Sequence, residues 1–246
     1  MTPAATPQPA VCSHGLTHIG RVRPRNEDAY LDDSERGLWA VADGMGGHSA
    51  GDYASRRIVE ALAQAECSGD LDGSVAAVRD RLTAVDAELR RRAAALGPGE
   101  TIASTVVVLL AEQWRYACLW AGDSRAYLLR DGAMRQLTVD HSLVQELVDG
   151  GVLSAAAARS HPQANVVTQA IGAGRLEFGA VEDGVRAGDR FLLCSDGLTG
   201  MVDDPEIACE LGKGTPEEAS LRLVDLALVQ GGVDNVSVVV VEFRAD

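Results

Sequence analysis

Apolar residues fall along the chain in two patterns, unbroken short runs and spaced single faces, and each predicts a different element. Residues 38–42 form one run, closed by Asp43-Gly44. Over 50–64 the spacing of Ala54, Ile58, Ala61 and Leu62 predicts a helix with one buried face. A longer helix is predicted over 74–96. There Val75, Val78, Leu82, Val85 and Leu89 recur at three and four, and Gly97-Pro98-Gly99 closes the pattern. Strand-like runs follow at 105–111, 114–121, 125–130 and 133–137, the last two joined by the hairpin signal Asp131-Gly132. Residues 142–148 predict a short helix stopped by Asp149-Gly150-Gly151, and 152–175 are weakly patterned and read mostly as loop. Another strand is predicted at 190–194. Thr215 then opens a helix, with Pro216 at its first position and Glu218 completing a capping box. It ends near Gly231-Gly232, and 236–243 is the final strand. Strands and helices in separate blocks, with tight turns between neighbouring strands, predict an α+β fold with antiparallel sheets.

Composition narrows the classes. A chain of 246 residues, 46% hydrophobic and 24% charged, has an ordinary soluble composition and can bury a large core. Its net charge of -14 argues against a general affinity for nucleic acid, whose phosphates are held by clustered Lys and Arg. The five cysteines are odd in number and show no CxxC spacing, which points to a reducing compartment instead of disulfides or a zinc site. Cys118 and Cys194 sit in apolar runs and read as core, as do Trp39, Trp114 and Trp120. No apolar stretch approaches the length of a membrane span. The start of the chain is rich in Pro, Thr and Ala, without the basic start and apolar core of a signal peptide. The expectation is a disordered lead-in over 1–10, one domain over 11–246, and a cytoplasmic location.

Three aspartates share a setting: Asp43, Asp123 and Asp196 each follow an apolar run, and Asp234 precedes one. Gly44, Gly122 and Gly197 adjoin them. Carboxylates gathered at strand ends repel one another, and a hard cation such as Mg2+ or Mn2+ relieves that repulsion. Each Asp-Gly taken alone is equally a turn. Upstream lies Arg23-Pro24-Arg25-Asn26-Glu27-Asp28. It reads either as a surface charge cluster or as a phosphate-binding arginine beside supporting acids.

These pieces form an ordered set. Residues 20–28, Val41-Ala42-Asp43-Gly44-Met45-Gly46-Gly47-His48, Ala103-Ser104-Thr105, Gly122-Asp123-Ser124-Arg125-Ala126-Tyr127, Leu137-Thr138-Val139-Asp140-His141-Ser142, Ser195-Asp196-Gly197-Leu198 and Gly232-Val233-Asp234-Asn235-Val236-Ser237 run in sequence from about 12 to 243. Together they resemble the bacterial protein phosphatase 2C (PP2C, PPM) family of metal-dependent serine/threonine phosphatases. The resemblance implies a four-layer αββα sandwich, two antiparallel sheets flanked by helices, with a metal cleft at one end. It implies that Asp43 bridges two core Mg2+ or Mn2+ ions, that Asp196 and Asp234 complete one shell, and that the Gly44 carbonyl serves the other. Asp123, with Asp196, would hold a third ion. Glu27 and Asp28 would act on waters of the site, Arg23 would clamp the phosphate, and residues 140–163 would form a flap. The implied activity is hydrolysis of phosphoserine and phosphothreonine in proteins by a metal-activated water, opposing a bacterial Ser/Thr kinase. The enzyme would act as a monomer, with no nucleic-acid or membrane partner. Two other readings stand beside it: an inactive regulatory module on the same fold, and a phosphatase dedicated to an anti-sigma antagonist in partner switching.

The chain departs from the family pattern in places. Met45 stands where eukaryotic relatives carry a histidine general acid; His48, three residues on as in many bacterial members, takes that role in this reading, and a water of the third ion is the competing donor. The flap reads His161-Pro162-Gln163-Ala164-Asn165, without the arginine often found there. His14, His18 and His141 receive no role.

Overall fold

Alternation along the strands sorts their side chains into two opposite rows, and three separate apolar layers result. The structure is a computed structural model and describes residues 10–46, 50–67, 69–159 and 161–244. One sheet holds β1 (Ala10–His18), β7 (Arg125–Arg130), β8 (Ala133–Gln136), β10 (Arg190–Cys194) and β11 (Val236–Arg244), in the order β1-β11-β10-β7-β8. The other holds β2 (Asp28–Asp33), β3 (Leu38–Gly46), β5 (Val106–Glu112), β6 (Arg115–Ala121) and β9 (Gly179–Gly184), in the order β2-β3-β5-β6-β9. A short strand, β4 (Ile102–Ser104), pairs with the end of β3. All pairings are antiparallel.

Between the sheets lie Trp39, Val41, Val107, Leu109 and Cys118 against Ala126, Leu128, Phe191, Val239 and Phe243. The opposite row of the second sheet, with Leu38, Ala40, Val106 and Val108, packs on α1 (Ala50–Ala63) and α2 (Leu71–Leu96). The outer row of the first sheet, with Leu192, Cys194, Val238 and Val240, packs on α5 (Asp196–Thr199), α6 (Asp204–Leu211) and α7 (Pro216–Val229). This is the expected αββα sandwich. The remaining helices, α3 (Leu143–Asp149) and α4 (Ala155–Arg159), belong to the segment expected to form the flap.

Local signals account for many boundaries. Asp131 and Gly132 both take positive φ, 53° and 77°, as a two-residue hairpin turn requires. Thr215 and Glu218 form the predicted capping box of α7. Helix α2 starts at Leu71, ahead of the expected residue 74, because Asp70 caps it by accepting from the Gly73 N–H. Strand β3 does not stop at Ala42; β4 supplies a partner that carries it to Gly46. Trp39 and Trp120 are core, whereas Trp114 is only half-buried. The expected lead-in lies outside the described residues apart from Ala10, which already opens β1. Among the described residues no helix is long and apolar enough to cross a membrane.

Candidate metal centre

Strand parity brings the acids together. On β3, Trp39 and Val41 point between the sheets, so Asp43 in the same row does too, at the end of that layer. Asp28 is its directly opposed partner on β2. From the other sheet, Ser195 and Ser237 continue the inward rows of β10 and β11. Their hydroxyls donate to Asp28 Oδ2 at 2.8 and 2.7 Å. A second buried contact, between the Thr105 and Ser124 hydroxyls at 2.7 Å, closes the layer beside Asp43, whose N–H donates to Thr105 Oγ1. The sequence reading missed these hydroxyls: Ser195 lies two residues after an inward apolar position, and Thr105, Ser124 and Ser237 lie two residues before one.

The other candidates surround this pair. Asp196 begins α5 just after β10 and Ser195, and its charge is among those that raise the Asp43 carboxyl. Its Oδ1 is buried with no protein partner. Asp123 follows β6 and is 9% exposed. Its loop is held by His141: the Gly122 N–H donates to His141 Nδ1 at 3.3 Å, and the His141 N–H donates to the Gly122 carbonyl at 2.9 Å. Asp234 sits before β11; its Oδ2 accepts from Arg23 Nη2 at 2.6 Å and its Oδ1 from the Asn235 N–H at 2.8 Å. Arg23 is thus paired with Asp234. Asn235 pins the segment that carries Arg23 and Glu27. Its amide donates to the carbonyls of Ile19 and Arg25, and its Oδ1 accepts from the Glu27 N–H. Gly44 is a close approach: a methyl there would lie 2.1 Å from the Gly51 carbonyl oxygen and 2.6 Å from that of Glu27. His48 lies outside the described residues.

The electrostatics fit cations. Burial, with the charges of Asp196 and Asp234, raises the Asp28 carboxyl to about 7 against the pull of its two hydroxyl donors. Burial and then Asp196 raise Asp123 to about 7 as well. Asp43 is pushed well above the carboxylate range by burial and by Asp28, Asp196 and Asp123, and Asp196 is raised by burial and Asp234. Alone, the cluster must keep protons to limit its repulsion. An oxygen-rich site with an orphaned buried Asp196 oxygen is the donor set that Mg2+ or Mn2+ takes. Among the described residues no three Asp, Glu, His or Cys side chains close into a complete ligand set by themselves. Such ions are bound through one or two carboxylates and keep several waters, so a partial set suffices.

A family model described as Protein phosphatase 2C matches residues 14–217. The serine/threonine protein phosphatase PstP of Mycobacterium tuberculosis is 41% identical over 227 residues, which cover 91% of this chain and 43% of that protein. The chain therefore spans under half the length of this relative. Among solved structures, PppA of Pseudomonas aeruginosa, described as a key regulatory component of its T6SS, is 42% identical with a TM-score of 0.89, covering 96% of this chain and 99% of that one. The PstP catalytic domain, solved in complex with two manganese ions, is 37% identical with a TM-score of 0.83 over 96% and 99%. The matched stretch contains every clustered acid except Asp234, which lies beyond its end. Sandwich, acid cluster and similarity agree: the chain belongs to the protein phosphatase 2C family.

Proposed function

We propose that this chain hydrolyses phosphoserine and phosphothreonine in proteins, with water as the nucleophile and Mg2+ or Mn2+ as cofactor. The observation that carries the reading is the convergence of Asp28, Asp43, Asp123 and Asp196, whose burial and mutual repulsion hold their carboxyls above the usual range. Asp43, the Gly44 carbonyl, Asp196 and Asp234 are the groups that would hold two ions, and Asp123 with Asp196 a third. Bound there, such ions supply Lewis acidity toward phosphoryl oxygens and draw the pKa of water toward neutrality.

The chain's own residues do the rest. Ser124 and Ser195 are buried and hydrogen-bonded, so neither hydroxyl is free to attack phosphorus, and the attack falls to water. With Asp28 Oδ2 taken by two hydroxyls, Oδ1 is the oxygen left to orient that water. Glu27, fixed through its backbone by Asn235, stands next to it. Arg23 is 53% exposed and can leave Asp234 for a phosphate oxygen, where its planar fork suits the tetrahedral group. His48 remains the proposed proton donor to the departing alkoxide. We place the enzyme in cytoplasmic signalling, as a monomer opposing a Ser/Thr kinase; the odd cysteine count suits a reducing compartment. Retention of the whole acid cluster speaks against the inactive module, and no observation favours a dedicated anti-sigma antagonist phosphatase.

The test is turnover of p-nitrophenyl phosphate and of a phosphothreonine peptide with Mn2+ and with EDTA. Activity is expected only with metal. Undiminished turnover in EDTA would falsify the mechanism, and no turnover with any divalent ion would return the regulatory module to first place.

A further inference from the structure

The acid cluster opens sideways into a cleft of about 390 Å3, which it shares through Asp123 and Asp196. The volume exceeds what an arginine side chain needs, since it would hold about a dozen waters at roughly 30 Å3 each. Part of the wall is apolar, from Val144 and Val148 of α3 and Met201 and Val202 before α6. An ion pair also lines it: Arg125 Nε and Nη2 donate to both oxygens of Asp140 at 2.6 to 3.0 Å. Arg125 is the one cation among the described side chains lining the cleft, and Asp140 already claims it. Asp203 and Asp204 also line it, at the N-terminus of α6. Asp203 Oδ1 accepts from the Glu206 N–H at 3.0 Å, and Asp204 Oδ1 from the Tyr127 hydroxyl at 3.2 Å, so both carboxylates are fixed in place.

We infer that this cleft receives an arginine or lysine side chain of the phosphoprotein, from a residue near the phosphorylated one in sequence. The inference rests on the phosphatase reading and names its substrate class. The apolar wall suits the alkyl stem of such a side chain, and the carboxylates at the helix start suit its charged head. An extended peptide advances about 3.3 Å per residue, so the immediate neighbours of a phosphoresidue held at the acid cluster are the ones that reach the adjoining cleft. The net charge of -14 draws basic segments toward the protein as a whole. Acidic neighbours in the substrate would meet Asp203 and Asp204 and be disfavoured.

The test pairs phosphothreonine peptides that differ only in Arg or Ala at each flanking position, with p-nitrophenyl phosphate as a control lacking any flank. The wild-type enzyme is expected to prefer the Arg peptide at its best position by about tenfold in kcat/KM, chiefly through KM, the discrimination worth about 1.4 kcal/mol. The double variant Asp203→Asn/Asp204→Asn keeps the cap and the acceptor for Tyr127 but removes both charges. It is expected to lose the preference while hydrolysing p-nitrophenyl phosphate at the wild-type rate. A wild-type ratio near one, or a ratio unchanged in the double variant, overturns the inference. If wild-type protein fails on p-nitrophenyl phosphate, the phosphatase reading is what fails. Fluorescence anisotropy of the same peptides on Mn2+-loaded protein then decides the cleft by the same ratio.

Discussion

Asp28 and Asp43 oppose each other across neighbouring strands, a placement like charges avoid unless something positive lies between them. Around this pair the acids are unequal. Asp43 ends the inward row of β3 and Asp196 begins α5 just after β10, whereas Asp123 reaches the cluster from a separate loop braced by His141. Asp123→Ala should therefore spare the affinity for the first two cations, within about threefold by calorimetric titration with Mn2+, while turnover falls by about tenfold or more. Equal loss of both quantities would make Asp123 a core ligand and remove the distinction. At this scale much was legible, because Asp43, Asp123 and Asp196 each sit beside a glycine at the edge of an apolar run and Asp234 sits just before one. The hydroxyls of Ser195 and Ser237 were not, because their role depends on which strands face each other, and one strand's alternation does not carry that. The pairing of Arg23 with Asp234 was hidden for the same reason: 211 positions separate the two.

Elements with strong local chemistry were read within a residue or two. Strands β7 and β10 match the expected ranges, and so does the capped start of α7. Others went unassigned, among them β2, β9 and α6. The edge strand β9 reads GAVEDG, too acidic and too glycine-rich to signal a strand, and it owes its existence to pairing with β6. Strand β2, DAYLDD, is masked by its charges in the same way. Helix α6 did carry a signal, since Asp203 and Glu206 form a capping box with Pro205 just inside, but eight residues hold too little periodicity to draw notice. The most consequential element is the segment before β2, which has almost no regular structure and is held by the Arg21 N–H on the Gly232 carbonyl, by Asn26 on Thr17, by Ser55 on the Glu27 carbonyl and above all by Asn235. Asn235 is 5% exposed and makes three hydrogen bonds to it. Asn235→Ala leaves those backbone groups unpaired and should destabilise the protein by about 2–4 kcal/mol in urea unfolding. Turnover should drop further than the folded fraction does, because Arg23 and Glu27 lose their support. A variant with full specific activity in its folded fraction would show that the segment holds itself.

The sandwich as a whole sustains a charge density at one end that its own core does nothing to relieve, and pH exposes the consequence. Asp28 and Asp123 stand at about 7 in the fold against 3.8 for a free aspartate, and burial with its acidic neighbours pushes Asp43 well above that free value too. A carboxyl whose folded pKa is raised contributes stability while protonated, in full below 3.8, and loses it as pH rises through the folded value. Other groups act elsewhere. Glu88, Glu210 and Glu242 are lowered by their arginine and lysine partners and are already ionised in both states above pH 5. His141, lowered by burial, opposes the trend only below its free value of 6.5. Between pH 6.5 and 8.0 the aspartates are therefore left in control. In EDTA the protein should lose on the order of 2 kcal/mol across that window, or about 5 °C in Tm. With Mn2+ the slope should reverse, because cations bind the deprotonated carboxylates and their stabilisation grows with pH. Scanning calorimetry with and without metal at both pH values reads the two slopes directly. A flat or rising Tm in EDTA would mean that the acids are not crowded in solution, and with that the central argument for a cation site would be gone.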